Sequence, residues 1–356
     1  MRVGAARAAA VRWVAGHARS APGYRGAYFS GSTVGRADDA RLAPSSDVDV
    51  VVVTEEDDPP AKPGKLRYEG ALLEITYVPW AELRDAGTVL SSYHLAGSFR
   101  VDTVIDDPTG GLRALYAAVA PRFAEPDWVR RRCLDARRRV EGRLAAFDGT
   151  VPFHEQVPAW MFPTGVTTHV LLVAALRNPT VRLRYRAARD VLTAYGQPHL
   201  YRELLELLGC ADVSAELVRH HAGELTRTFD ATVPVARTPF FFSSDLTEQA
   251  RPIAVDGSLE LIDRGEHREA VFWIVATLAR CHTVLAVDDP ALHAERLPAF
   301  RAAVADLTGI TGTAGLLERR DEVLRFLPRL DEAVENVLAA NPDIAGQRPL
   351  PPRLPL

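Results

Sequence analysis

Two hydrophobic patterns divide the chain. In the first third, short runs of Val, Ile, Tyr and Phe are bounded by Gly, Pro, Asp and Ser, which is typical of strands. Helical spacing between these runs predicts intervening helices, and the charged, Pro-rich segment 55–65 predicts an exposed loop between two strands. The predicted strands are 26–30, 47–54, 67–78 and 101–106, and the predicted helices are 3–19, 80–86 and 109–121. An α/β unit with a small mixed sheet is therefore expected.

From about residue 122 only the helical pattern continues, beginning with a helix over 126–147. Segment 224–260 contains a Pro- and Phe-rich stretch that fits neither pattern and is interpreted as a long loop over the bundle, and 153–162 is interpreted as a loop packed by its own aromatic side chains. Further helices are predicted over 165–177, 180–195, 198–208, 213–223, 266–285, 291–307 and 313–339. We divide the chain into an α/β domain (1–121), a helical bundle domain (122–342) and a Pro-rich tail (343–356) that we expect to be extended and mobile.

Composition adds few constraints to this division. A net charge of -4 gives no electrostatic footprint for nucleic acid or for an anionic membrane. The cysteines, Cys133, Cys210 and Cys281, are far apart in apolar helical patterns, which favours a reduced, cytoplasmic protein without disulfides. The N-terminal segment is interrupted by Arg12 and His17, so we interpret it as an amphipathic helix rather than a signal or transit peptide. No window of about 18 uncharged apolar residues predicts a membrane span.

Two aspartates interrupt a run of valines in YFSGSTVGRADDARLAPSSDVDVVVV. Residues two apart in a strand share a face, so Asp47 and Asp49 point together while Val48 and Val50 face the core. Adjacent carboxylates raise each other's pKa unless a cation lies between them. A fixed, doubly anionic pair of oxygen ligands suits Mg²⁺, which completes its coordination with water and substrate phosphates. Upstream, Gly31 allows backbone N–H groups to approach a phosphate closely, and the hydroxyl of the next residue, Ser32, adds a donor.

This stretch resembles the signature of the DNA polymerase beta-like nucleotidyltransferase superfamily. The resemblance lies in a strand followed by Gly31-Ser32, a spacer, and the Asp47/Asp49 pair directly after Ser46. Fourteen residues separate Ser32 from Asp47, more than is usual in the family. The additional length lies in ADDARLAP, where we expect a loop extension that leaves the acidic pair intact.

The superfamily also requires a third carboxylate from a neighbouring strand. Glu74 is the only acid inside GALLEITYVP, and LEIT resembles the corresponding strand of the streptomycin and spectinomycin adenylyltransferases. That resemblance implies that Glu74 is the general base for the acceptor hydroxyl, with a role as third metal ligand left open. Glu69 is the competing acid, but it lies in a turn-like YEG and is expected to be exposed.

The resemblance implies an α/β nucleotidyltransferase domain followed by a helical acceptor-binding bundle. Asp47 and Asp49, with Glu74, would hold Mg²⁺ on a nucleoside triphosphate, with ATP as the default donor, while Gly31, Ser32 and Ser46 would bind its phosphates. The acceptor hydroxyl would attack the α-phosphorus and release pyrophosphate. The expected acceptor is an aminoglycoside or a related hydroxylated metabolite. A macromolecular acceptor, such as the 3′ end of a transfer RNA or a protein side chain, remains the alternative, and an inactive binding protein is a third possibility. The sequence leaves the oligomeric state open.

Other polar residues have a structural interpretation beside a functional one. His154 and Glu155, among aromatics near the domain junction, would suit a cationic sugar, but a loop packed by its own side chains is preferred. Arg182, Arg186 and Arg189 lie on one face of a predicted helix, where triphosphate or nucleic acid could bind, but a solvated helix face is preferred. Three histidines without a carboxylate or cysteine at metal-ligand spacing are interpreted as structural: His220, His221 and His282.

Overall fold

The computed structural model describes residues 1–59 and 61–344, so most of the predicted tail lies outside the described residues. The N-terminal part contains a five-stranded sheet with the order β3-β4-β2-β1-β5. Its strands are β1 (Tyr24–Ser30), β2 (Val48–Thr54), β3 (Gly64–Tyr68), β4 (Ala71–Pro79) and β5 (Val104–Asp106). The pair β2–β4 is parallel and the other three pairs are antiparallel. The prediction of a small mixed sheet is confirmed.

Helices cover both faces of this sheet because the apolar side chains of β2 alternate between them. Val48 and Val50 are fully buried on the face covered by α1 (Val3–Trp13), which a π-helical turn extends to Ala18. Val51 and Val53 pack on the opposite face. That face is covered by α2 (Ala86–Ser91) and α3 (Gly111–Val119). The predicted core positions Val48 and Val50 and the first helix are confirmed.

Several boundaries in this part were wrong. The predicted strand 67–78 is two strands, β3 and β4, joined by a tight turn in which Glu69 and Gly70 have φ angles of 48° and 79°. Gly64 and Lys65, expected in a loop, begin β3 because they pair with β4. The predicted helix 80–86 is a 3₁₀ turn at Trp80–Glu82, and α2 begins only at Ala86. Strand 101–106 is shortened to β5.

After the sheet, the described residues up to 344 form a helical region, as predicted. Its helices are α4 (Pro126–Ala145), α5 (Phe153–Ala174), α6 (Arg184–Ala194), α7 (Pro198–Leu208), α8 (Ala215–Thr232), α9 (Gly257–Asp263), α10 (His267–Asp288), α11 (Pro290–Thr308) and α12 (Thr313–Ala340). By length and composition, α5 and α10 could each cross a membrane, although no span was predicted from the sequence. Both are mostly buried against other helices of the bundle, as core helices of soluble proteins are.

Two predicted loops of the bundle are largely helical. Residues 153–162 form the first half of α5, even though Pro158 and Pro163 lie inside that helix. Burial of α5 among its neighbours outweighs the hydrogen bonds that proline removes. Within 224–260, α8 extends to Thr232, and a 3₁₀ turn (Ser243–Asp245), a π-helical turn (Pro252–Asp256) and α9 follow. The predicted helix 180–195 begins only at Arg184.

Candidate active site

The structure brings together the three acids that the sequence singled out. Asp49 lies in β2, directly opposite Glu74 in the parallel neighbour β4, and Asp47 immediately precedes β2. One carboxylate oxygen from each of the three residues lies within 4.8 Å of the others. Asp47 and Glu74 are 17% and 18% exposed, so the cluster is largely shielded from water while one side remains accessible. The parallel register of β2 and β4 therefore creates an oxygen-only cluster from residues far apart in sequence.

Gly31 lies against this cluster at the end of β1. Its φ angle is 67°, and a Cβ atom at this position would lie 1.9 Å from Oδ2 of Asp49. Only glycine allows both the left-handed conformation and this contact. Ser32, Ser46 and the three acids line the same cavity, which has a volume of about 160 Å³. The predicted phosphate-binding residues and the predicted metal ligands thus share one site.

The long spacer before Asp47 packs against α1. The backbone oxygen of Asp38 accepts a hydrogen bond from the N–H of Gly4 at 2.9 Å, and its carboxylate pairs with Arg7 at 2.8 Å. Leu42 is buried in the core that α1 forms with the sheet. The loop extension expected from the sequence is therefore anchored to the first helix, and the acidic pair after it remains intact.

The only two lysines of the chain, Lys62 and Lys65, both bind Glu74. Nζ of Lys65 lies 2.7 Å from Oε2 of Glu74 and 3.7 Å from Oδ2 of Asp47, and Nζ of Lys62 lies 3.0 Å from Oε1 of Glu74. Burial opposes ionisation of Glu74, but the two ammonium groups outweigh it and lower the pKa of this carboxyl to about 2. Glu74 is therefore a weak base in this arrangement and stays ionised at neutral pH.

Asp47 and Asp49 have the opposite electrostatic situation. Burial raises the pKa of both carboxyls; for Asp49 the charges of Asp47 and then Glu74 raise it further. Among the described residues, no side chain makes a hydrogen bond or ion pair with the carboxylate of Asp49. A buried, repelling pair of carboxylates next to a third is a donor set that a hard divalent cation would neutralise. The residues present thus fit Mg²⁺.

Asp245 and Arg280, which the sequence did not indicate, connect this cluster to the bundle. Asp245 lies in the turn Ser243–Asp245; its Oδ1 is 2.6 Å from Nζ of Lys65 and its Oδ2 is 2.8 Å from Nη1 of Arg280 on α10. This turn can approach β3 because residue 64 is a glycine with a φ angle of 68°. A Cβ atom on Gly64 would lie 2.0 Å from Cβ of Ser244. Glu74, Lys65, Asp245 and Arg280 thus form a chain of alternating charges. Lys65 could have been noticed in the sequence because the chain has only two lysines. No feature of the sequence distinguishes Asp245 from the other acids.

The predicted arginine face is not a solvated helix face. Arg182 precedes α6 and lines the cavity of the acidic cluster; it donates to the backbone oxygens of Ser45 at 3.0 Å and Gly257 at 3.2 Å. Arg186 and Arg189 belong to α6 and pair with acids near the start of α10. The preferred interpretation of this face was therefore wrong, because helices packed beside α6 supply partners that a helical wheel does not show.

The remaining candidates lie outside the acidic cluster. His154 is buried on α5 with its ring centroid 5.0 Å from that of His293, while the adjacent Glu155 lines a separate, larger cavity. Glu69 pairs with Arg12 in an exposed turn, as its sequence context predicted. The histidines interpreted as structural make contacts within the bundle: His220 with His221, His221 with Asp306, and His282 with His293.

Comparison with known proteins yields no relative: no family model, no curated protein and no solved structure matches the chain.

Proposed function

We propose that the protein is a Mg²⁺-dependent nucleotidyltransferase that transfers a nucleoside monophosphate, by default AMP from ATP, to a hydroxyl of a small molecule. The observation that carries this proposal is the cluster of Asp47, Asp49 and Glu74 on adjacent strands, with Gly31 in contact with Asp49. The cluster has the elements of the DNA polymerase beta-like nucleotidyltransferase signature, which the sequence resembles. A cytoplasmic location accords with the buried apolar helices.

The proposed reaction is a direct displacement at phosphorus. The acceptor oxygen forms a bond to the α-phosphorus, the bond from that phosphorus to the bridging oxygen of the β-phosphate breaks, and pyrophosphate leaves with the bonding electrons. Mg²⁺ held by Asp47, Asp49 and Glu74 would supply charge neutralisation on the phosphates. The chain itself positions the two reactants and shields the site from water, and a base accepts the hydroxyl proton.

A basic recess next to Ser32 suits the triphosphate. This recess has a volume of about 360 Å³ and meets the site cavity at Ser32, Thr180 and Leu183. Its charged lining consists of Arg100, Arg177, Arg186 and the single acid Asp190. Guanidinium groups bind phosphate oxygens well because their donors are planar and permanently charged. The β- and γ-phosphates would therefore extend from the acidic cluster past Ser32 into this recess.

Glu74 fits the role of a metal ligand better than that of a base in the arrangement described. Both of its oxygens bind a lysine ammonium, and the resulting pKa of about 2 makes proton transfer from an acceptor hydroxyl unfavourable. The base role implied by the resemblance requires Lys62 and Lys65 to release Glu74 when Mg²⁺ and nucleotide bind. The two roles are separable by experiment.

The test is pyrophosphate release from ATP and Mg²⁺ with a panel of hydroxylated metabolites, aminoglycosides, transfer RNA and protein acceptors, followed by mass spectrometry of the modified acceptor. Asp49→Asn should abolish transfer, whereas Asp58→Asn, at an exposed acid after β2, should retain it. Transfer by Asp49→Asn at the wild-type rate would refute the metal assignment. If the nucleotide is attached only to transfer RNA or to protein, the acceptor is a macromolecule and not a small molecule.

Glu74→Gln distinguishes the two roles of Glu74. As a metal ligand, Glu74 is needed for binding of Mg·ATP, so the variant should bind the nucleotide more weakly in Mg²⁺. As a base, it is needed only for transfer, so the variant should bind Mg·ATP normally and lose about two to four orders of magnitude in rate. Nucleotide binding measured by calorimetry, beside the rate of transfer, decides between them.

A further inference from the structure

A large cavity next to the site is lined by aromatic and cationic side chains. It lies within the bundle beside α4 and α5 and has a volume of about 680 Å³, a size suited to a small organic ligand. Aromatic rings of Tyr93, Phe162 and the Phe240–Phe242 segment contribute to its wall. Its charged lining consists of Arg139, Arg143, Arg184 and Arg280 against the single acid Glu155. The cavity is therefore both apolar and positively charged.

Arg184 is the most informative residue of this lining. It is only 2% exposed; its Nε donates to the backbone oxygen of Val181 at 2.7 Å, but its buried Nη1 has no hydrogen-bond partner among the described residues. The guanidinium lies 4.0 Å from the ring centroid of Phe272, and no acid within the described part of the chain forms an ion pair with it. A buried cation without an anion is costly. Because Arg184 also lines the cavity, its uncompensated charge favours a negatively charged ligand there.

This cavity adjoins the cavity of the acidic cluster. Val181 lines both cavities, and Arg280 is connected to Glu74 through Asp245 and Lys65. In the sheet, β2 and β4 carry Asp49 and Glu74, with β1 and its following Ser32 on one side and β3 with Lys65 on the other.

That placement assigns the cavity to the acceptor. In-line transfer puts the attacking oxygen opposite the leaving pyrophosphate. If the phosphates occupy the basic recess beside Ser32, the acceptor enters from the opposite side, that of β3 and Lys65. The turn Ser243–Asp245, which pairs with Lys65, directly follows Phe240–Phe242 of the cavity wall.

We propose that the aromatic cavity binds the acceptor and that this acceptor is a hydroxylated, planar aromatic compound with a negative charge, such as an aromatic carboxylate. This inference rests on the proposed nucleotidyltransferase function and replaces its expected aminoglycoside acceptor. A polycationic aminoglycoside would meet four arginines and one acid. A planar anion instead pairs with Arg184 and stacks on the aromatic wall, where arginines also contact rings, as Arg280 does with Phe162 at 4.9 Å.

A fluorescent probe pair tests the class of ligand. Binding of 7-hydroxycoumarin-3-carboxylate and of its neutral 3-carboxamide is measured by fluorescence anisotropy on the full chain without ATP or Mg²⁺. We expect the carboxylate to bind at least tenfold more tightly than the carboxamide. Arg184→Met should abolish that preference. Replacing the buried Arg184 can prevent folding, so a second variant is made at an exposed position of the cavity rim. Arg143→Glu should reduce the preference for the carboxylate, while the control Arg138→Glu, on the same helix outside the cavity, should not.

Four results would overturn the inference: no binding of the carboxylate, equal binding of the two probes, an unchanged preference in Arg143→Glu, or displacement of the carboxylate by streptomycin or by ATP. A separate measurement of pyrophosphate release distinguishes failure of the anionic acceptor site from failure of the proposed nucleotidyltransferase function. Transfer to an aminoglycoside without probe binding would retain the transferase and remove the anionic acceptor. Selective probe binding without transfer to any acceptor would retain the anionic site and remove the transferase.

Discussion

Replacing Asp49 with asparagine should stabilise the protein when Mg²⁺ is absent. Oxygens of Asp47 and Asp49 lie within 4.8 Å, and two like charges at that separation repel by about 3.5 kcal/mol at an effective dielectric constant of about 20. The attraction of Lys65 reduces this cost, as does proton uptake by Asp49, whose pKa is raised by burial and then by Asp47. We therefore expect Asp49→Asn to increase the free energy of unfolding by about 1–2 kcal/mol.

The direction of the pH dependence follows from that raised pKa. In an unfolded chain the pKa of an aspartate is about 3.9, as in short peptides, whereas burial and neighbouring charges raise the pKa of folded Asp49 well above that value. The stability cost of ionised Asp49 is thus absent below about pH 4, grows as the pH rises and is complete above the folded pKa. Asp49→Asn should therefore stabilise more at about pH 7.5 than at about pH 4.5.

Mg²⁺ should largely cancel this difference in stability. At a Mg²⁺ concentration about ten times the dissociation constant, the wild type gains about 1.4 kcal/mol, and Asp49→Asn gains almost nothing. Scanning calorimetry with and without Mg²⁺ measures both effects as shifts of the melting temperature of about 2–4 °C per kcal/mol. Asp58→Asn serves as the exposed-acid control and should change neither value. A lower melting temperature for Asp49→Asn without Mg²⁺, or an unchanged response to Mg²⁺, would refute the reasoning.

Other substitutions test the contacts around the cluster. Lys65→Met should lower the free energy of unfolding by about 3 kcal/mol, because the side chain of Lys65 is only 6% exposed and is surrounded by acids. Lys62→Met should lower it by at most about 1 kcal/mol, because the side chain of Lys62 is 31% exposed. Equal losses of stability in urea unfolding would contradict this prediction. Gly31→Ala should remove the Mg²⁺-dependent rise in melting temperature, because its Cβ would displace the Asp49 carboxylate. Phe241→Ser, at an 82% exposed position, should leave the melting temperature unchanged but weaken binding of the coumarin carboxylate about three- to tenfold in the anisotropy assay.

The acidic cluster shows how far local pattern extends. Alternation in the valine run placed Asp47 and Asp49 on one face because the side-chain period of a strand depends only on local backbone geometry. Glu74 could be selected as the single acid in a second strand. Its position directly opposite Asp49 depends on the parallel register of β2 and β4, which strand pairing sets across the sheet.

The errors in the helical part have a related cause. Pro158 and Pro163 disfavour a helix locally, and the sequence predicted a loop around them. In the fold, α5 is the buried helix against which α4, α6, α10 and α12 pack, and this burial outweighs the local cost. Similarly, Arg189 was placed on a solvated face, but it pairs with Glu266 and Glu269 once α10 packs beside α6.

The sequence by itself determined the mixed sheet, the helical bundle after it, and the acids and the Gly31-Ser32 turn of the candidate site, because periodicity and special backbone conformations are local properties. Only the tertiary structure decided that both lysines of the chain bind Glu74, that Asp245 and Arg280 extend this pairing into the bundle, and that the neighbouring cavity is lined by arginines. These features bring together residues more than 200 positions apart, as Asp245 does with Lys65 and Arg280 on either side of it, and such proximity follows from packing rather than from spacing along the chain.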